Sequence, residues 1–195
     1  MVRGVAESQV TAIAKQPVAG PLALGRLGLK GDEVADRRHH GGEWRAVLMY
    51  ADSHYRLWQS ELGRELSQGF GENLRVSGLD ENLVCIGDRL RIGDVELVVT
   101  APRSPCLTLA RHLEVEDIVA RVVQNGRSGW YLRVAREGMV EAGLDIELLD
   151  QPFPQWTVAA TAVLYRNRKV APDRARLLAE CEDLIPEWRE GLSAS

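Results

Sequence analysis

A run of alternating apolar residues that leads into a proline-bracketed cysteine constrains the fold of this chain most. In RLRIGDVELVVT (residues 89–100), apolar side chains recur at every second position on both sides of Gly93-Asp94, a pattern typical of a β-hairpin. The following APRSPC (residues 101–106) holds two prolines, which fix φ and cannot donate to a sheet ladder. We therefore expect the second strand to end at Thr100 and to leave Cys106 on a rigid turn.

Further strands and helices accompany this hairpin. The Gly- and charge-rich segment 28–42 separates two strand-like stretches and is long enough to suggest a function. Helical spacing of apolar residues follows the second of them, where Asp52 or Ser53 can cap the helix start, and returns after Leu113 until Asn125-Gly126 ends it. The predicted elements are strands at 2–14, 44–50, 129–138 and 144–150, and helices at 51–66 and 113–125. The pattern predicts a β-rich α+β fold, a barrel-like mixed sheet with two helices.

The character of the chain changes after Pro152. Residues 153–195 carry helical spacing interrupted by Pro172 and Pro186, which predicts a small C-terminal helical appendage to a β-barrel-like domain of residues 1–152. Such an appendage has apolar faces that either fold back on the barrel or pair with another copy of the chain. We expect a homodimer.

Composition excludes several classes of protein. Among 195 residues, 45% are hydrophobic and 27% are charged, which is ordinary for a globular protein and unlike a disordered or fibrous one. The formal net charge of −4 argues against general binding of nucleic acid, because such binding depends on many Lys and Arg contacts with phosphate. Neither a signal peptide nor an apolar run long enough to span a membrane is visible, so a cytoplasmic protein is expected.

Cys106 is the candidate for chemistry among three cysteines whose spacing signals neither a disulfide framework nor a four-ligand zinc site. If Arg103 points inward it favours the thiolate, which is the nucleophilic form and the form that binds soft metals. The alternative is a small buried apolar residue, the commonest role of a free cysteine. Packing is the expected role of Cys85, in a strand, and of Cys181, in the helical tail. A zinc site of His39, His40 and Cys106 is disfavoured, since adjacent histidines rarely converge on one ion.

Four stretches together resemble the MOSC domain, named from the C-terminal part of molybdenum cofactor sulfurase, and the helical tail resembles its bacterial YiiM-like type. They are DRRHHGG (36–42), FGENLRVSGL (70–79), VCIGDRLRIGDVELVVTAPRSPC (84–106) and GWYLRV (129–134). The resemblance implies a β-rich fold that holds the molybdenum cofactor, molybdopterin with its metal, with Cys106 as the protein ligand to molybdenum. Descriptions at the level of the family also mention pyridoxal phosphate binding.

The physical chemistry of the neighbouring residues agrees with this implied cofactor. Its phosphate needs positive charge and donors, which Lys30, Arg38 or Arg103 could supply. The remaining candidates are Gly41 and Gly71 for close backbone approach, Glu72 and Asn73 for pterin nitrogens, and His40 for orienting cofactor or substrate. Each of them also has a plain structural reading, as turn glycines, solvated charges or local hydrogen bonds. No role is assigned to His54 or His112.

The resemblance implies reduction of N-hydroxylated compounds such as 6-hydroxylaminopurine to amines. No flavin, haem or iron–sulfur signature is visible, so electrons are expected from an external reductase. Two alternatives stay open: a cofactor carrier without turnover, and a sulfur carrier that forms a persulfide on Cys106. The chain departs from the YiiM-like pattern at Glu43-Trp44-Arg45 and at the LTL after Cys106, which affects the expected substrate range more than the cofactor.

Overall fold

The computed structural model describes residues 2–3, 13–32 and 41–194. Eleven strands and six helices lie in these ranges, and a short 3-10 turn over Glu43–Arg45 precedes the fifth strand. The strands are β1 Val2–Arg3, β2 Lys15–Gln16, β3 Leu22–Gly25, β4 Gly28–Leu29, β5 Val47–Ala51, β6 Leu74–Val76, β7 Arg89–Ile92, β8 Val95–Pro102, β9 Trp130–Arg136, β10 Gly138–Val140 and β11 Ile146–Asp150. The helices are α1 Asp52–Leu62, α2 Leu107–Leu113, α3 Ile118–Asn125, α4 Val158–Arg166, α5 Pro172–Ala179 and α6 Pro186–Ser193.

Six strands form the main sheet in the order β11-β7-β8-β9-β5-β6, which curls into a half-barrel. All neighbours are antiparallel except β5 and β6, whose register pairs Met49 with Leu74. Two small sheets, β10-β3-β4 and β1-β2, complete the described strands. The predicted β-rich α+β fold with a mixed, barrel-like sheet is thus confirmed.

The hairpin of β7 and β8 is confirmed, with Ile92 opposite Val95 across the Gly93-Asp94 turn. Its second strand does not end at Thr100 as predicted but runs through Pro102, which pairs with Trp130 of β9. A proline is tolerated at the last position of a strand, because the ladder requires no further donor there. The cysteine turn therefore begins two residues later than the sequence indicated.

The helices before residue 150 also differ from the expectation of two. The helix predicted over 113–125 is α3, which begins only at Ile118. A further helix that was not predicted, α2, precedes it and ends at Glu114, which adopts a left-handed conformation with φ of 52°. Gly126 ends α3 as predicted. The predicted cap of α1 is wrong, since neither Asp52 nor Ser53 caps it, and Asp52 instead forms an ion pair with Arg75.

The boundaries of the first strands also changed. Of the strand predicted over 2–14, the structure describes residues 2–3 as strand and 13–14 as turn, and residues 4–12 lie outside the described ranges. The strand predicted from residue 44 begins at Val47, because the 3-10 turn takes up its first residues.

Two hydrophobic clusters hold the fold together. The larger lies against the main sheet and includes Leu178, Leu184 and Leu192 of the C-terminal segment, so these helices fold back on the sheet. The backbone N–H of Ile185 donates to the carbonyl of Thr100 at 3.0 Å, joining the segment to β8. Pro172 and Pro186, predicted as breaks in the helical segment, begin α5 and α6, where their missing N–H costs nothing. Across the described part of the chain, none of the helices has the length and apolar character needed to cross a membrane.

The smaller cluster packs the aromatic side chains of β5 and α1 against α2 and α3. Phe70 stacks on Tyr50 with ring centroids 4.5 Å apart, and Tyr55 and Trp58 surround this pair. The indole N–H of Trp58 donates to the Tyr50 hydroxyl at 2.8 Å, so the buried polar groups of this cluster are satisfied internally. Leu109 and Leu113 of α2, the helix that follows the cysteine turn, belong to this cluster.

Candidate functional site

The turn after β8 presents Cys106 at the start of α2. Cys106 is half-buried and lies in extended geometry immediately before Leu107, whose side chain is 70% exposed. The other two cysteines are buried, and burial raises the pKa of Cys85 and of Cys181 to about 11. Cys106 therefore differs from both in having access to solvent, as a ligand or nucleophile requires.

Arg103, on the same turn, is buried with 4% of its surface exposed. Its backbone N–H donates to the carbonyl of Gly129 at 3.0 Å, and its positive charge lies close enough to Tyr131 to oppose the rise that burial gives the pKa of that tyrosine. Its Nε and Nη1 are buried and have no hydrogen-bond partner among the described residues. Because a buried cation with open donors is costly, these two groups could bind an anion.

Tyr131 joins Arg103 to a second arginine. The guanidinium of Arg45 lies 6.0 Å from the centroid of the Tyr131 ring and pairs with Glu187 of α6 at 3.2 Å. Burial raises the pKa of Tyr131, while the positive charges of Arg103 and Arg45 act in the opposite direction and Cys106 adds to the rise. Two guanidinium groups and the cysteine thus lie around one tyrosine.

The sequence interpretation did not identify Tyr131 or Arg45 as site residues. Tyr131 was seen only as part of a strand, and Arg45 only as a departure from the family pattern. The sequence offered one indication of them, because both residues lie in stretches that begin with glycine, GGEWR and GWYLRV. Arg45 lies just before β5, so its approach to Tyr131 depends on β9 lying beside β5, which no local pattern encodes.

Asn73 connects the glycine-rich segment before β6 to β5. Its backbone N–H donates to the Leu48 carbonyl, and its Oδ1 accepts from the Leu48 N–H, both at 2.8 Å. Its Nδ2 donates to Oδ2 of Asp32 at 2.5 Å. Asn73 therefore has a structural role whether or not it also contacts a cofactor.

Asp32 and Lys15 form a buried ion pair that the sequence interpretation missed. Lys15 Nζ lies 2.5 Å from Asp32 Oδ2, and each side chain is 8% exposed. Burial lowers the pKa of Lys15, and the charges of Asp32 and Glu72 partly oppose this effect. Oδ1 of Asp32 is buried and has no partner among the described residues, so it is a further open acceptor beside Asn73.

Glu72 faces the aromatic cluster. Its Oε1 accepts from the Tyr55 hydroxyl and its Oε2 accepts from the Phe70 N–H, the latter at 3.1 Å. Burial raises the pKa of Glu72, with these hydrogen bonds acting in the opposite direction. The pKa of Tyr50 is raised well above its usual value, chiefly by burial, and it also responds to the charges of Glu72 and Arg103. The pKa of Tyr50 thus depends on charges both at Glu72, beside Asn73, and at Arg103, on the cysteine turn.

The remaining candidates are more dispersed. Gly71 has φ of 80°, and a Cβ there would lie 3.2 Å from Cγ1 of Ile13, so the position suits glycine. Gly41 also has a positive φ, of 90°, just before the 3-10 turn. The side chain of Lys30 is exposed at the end of the β3-β4 hairpin, apart from the buried groups. Arg38 and His40 lie outside the described residues.

The donor set fits an anionic cofactor that brings most of its own metal ligands. Within residues 13–32 and 41–194, no group of three or more His, Cys, Asp or Glu side chains could hold a metal ion. Cys106 offers one thiolate, and Arg103 offers two open N–H groups suited to phosphate or another oxyanion. These residues match a phosphate-bearing metal cofactor better than a site made of protein ligands alone.

Comparison with known proteins gives a consistent result. The model of the MOSC domain family matches residues 36–147, more than half of the chain. The "Uncharacterized protein YflK" of Bacillus subtilis is 39% identical over 92% of this chain and 81% of its own. A protein of Gibberella moniliformis named "Reductase" is 37% identical over 93% of this chain but only 33% of its own length. The crystal structure of YiiM from Geobacillus stearothermophilus superposes with a TM-score of 0.84 at 30% identity, covering 98% of this chain and 92% of that one. The chain therefore belongs to the MOSC domain family, as a YiiM-like member.

Proposed function

We propose that this protein is a molybdenum-cofactor-dependent reductase of N-hydroxylated compounds, such as 6-hydroxylaminopurine, which it converts to amines. Membership of the MOSC family and the relative named as a reductase support an oxidoreductase. The observation that carries the proposal is the pairing of a half-buried Cys106 with the open, buried N–H groups of Arg103 on one turn. A cysteine sulfur on the same turn as a cation whose Nε and Nη1 have no partner among the described residues suits a cofactor with a soft metal and an anionic tail.

Cys106 is proposed as the protein ligand to molybdenum. Arg103 would donate its Nε–H and Nη1–H to the cofactor phosphate, and the Tyr131 hydroxyl would keep the guanidinium oriented. Asn73, in the glycine-rich segment before β6, would contact the pterin. The other proposed contacts are Lys30 and Arg38 for phosphate, Gly41 and Gly71 for backbone approach, Glu72 for the pterin, and His40 for cofactor or substrate.

The reaction requires two electrons and two protons for each N–O bond that breaks. The nitrogen is retained as the amine and the oxygen leaves as water, so the balance is R–NHOH + 2e⁻ + 2H⁺ → R–NH₂ + H₂O. When bound, the cofactor supplies the redox-active metal for this step, and an external reductase supplies the electrons. The chain itself orients the reactants: exposed Leu107 beside Cys106 offers an apolar surface on which a planar base can rest.

The proposal is tested by metal and pterin analysis of protein expressed in a host that makes the cofactor. Wild-type protein is expected to hold close to one molybdenum per chain, and Cys106→Ser to lose it. Cys181→Ser is the matched control, because that cysteine is buried in the helical segment and has no place in the site. It is expected to keep the metal. A cofactor-loaded reference protein from the same host shows that loading works.

Each further outcome decides between functions. Molybdenum lost in Cys106→Ser, together with reduction of 6-hydroxylaminopurine by the pre-reduced wild-type protein, supports the reductase. Molybdenum without turnover indicates a cofactor carrier. Sulfane sulfur on Cys106 without molybdenum indicates a sulfur carrier and overturns the proposal.

A further inference from the structure

A buried histidine–glutamate pair lies behind the cysteine turn and has no part in the function proposed above. His54 Nε2 lies 2.7 Å from Glu81 Oε2, and the two side chains are 9% and 3% exposed. These two atoms form a hydrogen bond between the imidazole and the carboxyl group. His54 also meets the Tyr50 ring edge-on, with centroids 5.4 Å apart. The pair is therefore held at one fixed place in the core.

The second carboxylate oxygen of Glu81 binds the backbone of Gly129, which in turn binds the backbone of Arg103 on the cysteine turn. Oε1 of Glu81 accepts from the Gly129 N–H at 2.7 Å, and the Gly129 carbonyl accepts from the Arg103 N–H at 3.0 Å. The hydrogen bonds thus run from His54 through Glu81 and Gly129 to Arg103. Each donor and acceptor in this series is buried, which makes the loss of any one of them costly.

Gly129 is a position where the backbone needs such support. Its φ is 76°, and a Cβ placed on it would lie 2.6 Å from the Met49 carbonyl oxygen, so the chain passes in direct contact with β5. β9 starts at the next residue, Trp130, which pairs with Pro102 at the end of β8. The position of Gly129 therefore determines the end of β8 and the start of the turn that carries Arg103.

Glu81 is also fixed from the opposite side. Its carbonyl accepts from the Ala159 N–H at 2.7 Å, in the first turn of α4. With both backbone and side chain held, the carboxylate has little freedom to follow a displaced Gly129. We propose that Glu81 is a positioning residue for the turn that carries Arg103 and Cys106, acting through Gly129, and that His54 fixes the Glu81 carboxylate. This inference rests on the proposed function only in assigning cofactor binding to that turn.

The test is amide hydrogen exchange in the metal-free protein, so that its result does not depend on molybdenum. Glu81→Asp keeps the charge but shortens the side chain, and Glu81→Gln keeps its length and one acceptor oxygen. We expect Glu81→Asp to speed exchange of the Arg103 amide by about tenfold or more, and Glu81→Gln to restore most of the protection. Glu81→Ala is expected to act like Glu81→Asp.

Asp88→Asn is the matched control. Asp88 is also a buried carboxylate that accepts a backbone N–H, from Cys85 at 2.8 Å, but it lies on the turn that precedes β7. It is expected to lower global stability while leaving the Arg103 amide protected in native conditions. Unchanged exchange at Arg103 in both shortened variants, or an equal increase in Asp88→Asn, would overturn the proposal.

A second measurement tests the same series of hydrogen bonds, in protein from the cofactor-competent host. Molybdenum content is expected to fall about threefold or more in Glu81→Asp and to recover in Glu81→Gln, because the ligand and its phosphate donors lose their relative placement. If wild-type protein holds no molybdenum, the proposed function fails while the exchange experiment still decides the role of Glu81. If molybdenum is present and equal in all variants, the positioning role fails alone.

Discussion

Arg103 lies beside Tyr131 in the interior of the fold: both residues are buried, and the positive charge of Arg103 opposes the rise that burial gives the pKa of Tyr131. Nε and Nη1 of this guanidinium have no hydrogen-bond partner among the described residues. A buried charge that is only partly satisfied lowers the stability of a fold, and a bound anion would offset that cost. The arrangement predicts that function and stability respond in opposite directions when Arg103 is replaced.

Arg103→Met is expected to leave the free energy of unfolding within about 1 kcal/mol of wild type, or to raise it, since a desolvated cation is exchanged for an apolar side chain of similar length. The same substitution should abolish the stabilisation of the metal-free protein by added inorganic phosphate. Thermal unfolding with and without phosphate measures both effects. Arg103→Lys, which keeps the charge but not the forked donors, should retain part of the phosphate effect. A large loss of stability in Arg103→Met would contradict the anion-site interpretation.

Two buried threonines give a matched pair for the hydrogen bond that ties the 3-10 turn to β8. The Thr100 hydroxyl donates to the Trp44 carbonyl at 2.7 Å, whereas the Thr161 hydroxyl is buried with no partner among the described residues. Thr100→Val should therefore cost about 1–2 kcal/mol, and Thr161→Val should change stability by less than about 0.5 kcal/mol or raise it. Urea unfolding of the two variants checks this difference, and equal losses would refute it.

A comparison of Gly129 with Gly126 separates the stability cost of a left-handed backbone from the cost of crowding. The φ angle is 76° at Gly129 and 77° at Gly126, but a Cβ on Gly126 meets nothing within 4 Å while one on Gly129 would lie 2.6 Å from the Met49 oxygen. Gly126→Ala should cost about 1 kcal/mol, the ordinary penalty of the left-handed region. Gly129→Ala should cost about 3 kcal/mol or more, because the strand itself must move. Denaturation midpoints distinguish the two, and a similar cost for both would show that β5 yields easily.

His112 should make the protein less stable in mild acid. Burial lowers the pKa of His112 below its usual 6.5, and its ring lies over Gly69. Between the lowered folded pKa and 6.5 the unfolded chain binds more protons than the folded one, so the free energy of unfolding falls as pH drops through this window. His112→Gln should show a smaller decrease in urea midpoint between about pH 7.5 and about pH 5. Equal decreases in both proteins would assign the acid sensitivity to other groups.

The local features of this fold could be read from the sequence. The hairpin at residues 89–100 follows from strict alternation around Gly93-Asp94, because a period of two is the geometry of a pleated strand. Gly126 ends α3, and Pro172 and Pro186 begin α5 and α6, since these residues have conformations that few others share. Helix α2 was not predicted, and its end at Glu114 carries no glycine to mark it, because a left-handed residue other than glycine ends this helix.

The candidate site was accessible from sequence only where its chemistry is local. Cys106 and Arg103 were found because two prolines and a strand end lie within a few residues of them. Arg45 and Tyr131 were not, since 28 residues separate Arg103 from Tyr131 and their contact exists only because β9 pairs with β8. Glu72 and Asn73 were recognised by their motif, but their internal partners Tyr55, Leu48 and Asp32 were not.

The sequence by itself determined the turn, the cysteine and the class of fold, because backbone preferences and side-chain periodicity act over a few residues. The tertiary structure decided which buried charges meet. Lys15 reaches Asp32, and Glu81 reaches Gly129, across separations of 17 and 48 residues. Contacts of this kind depend on strand order, which is selected by the free energy of the whole core rather than by any local pattern.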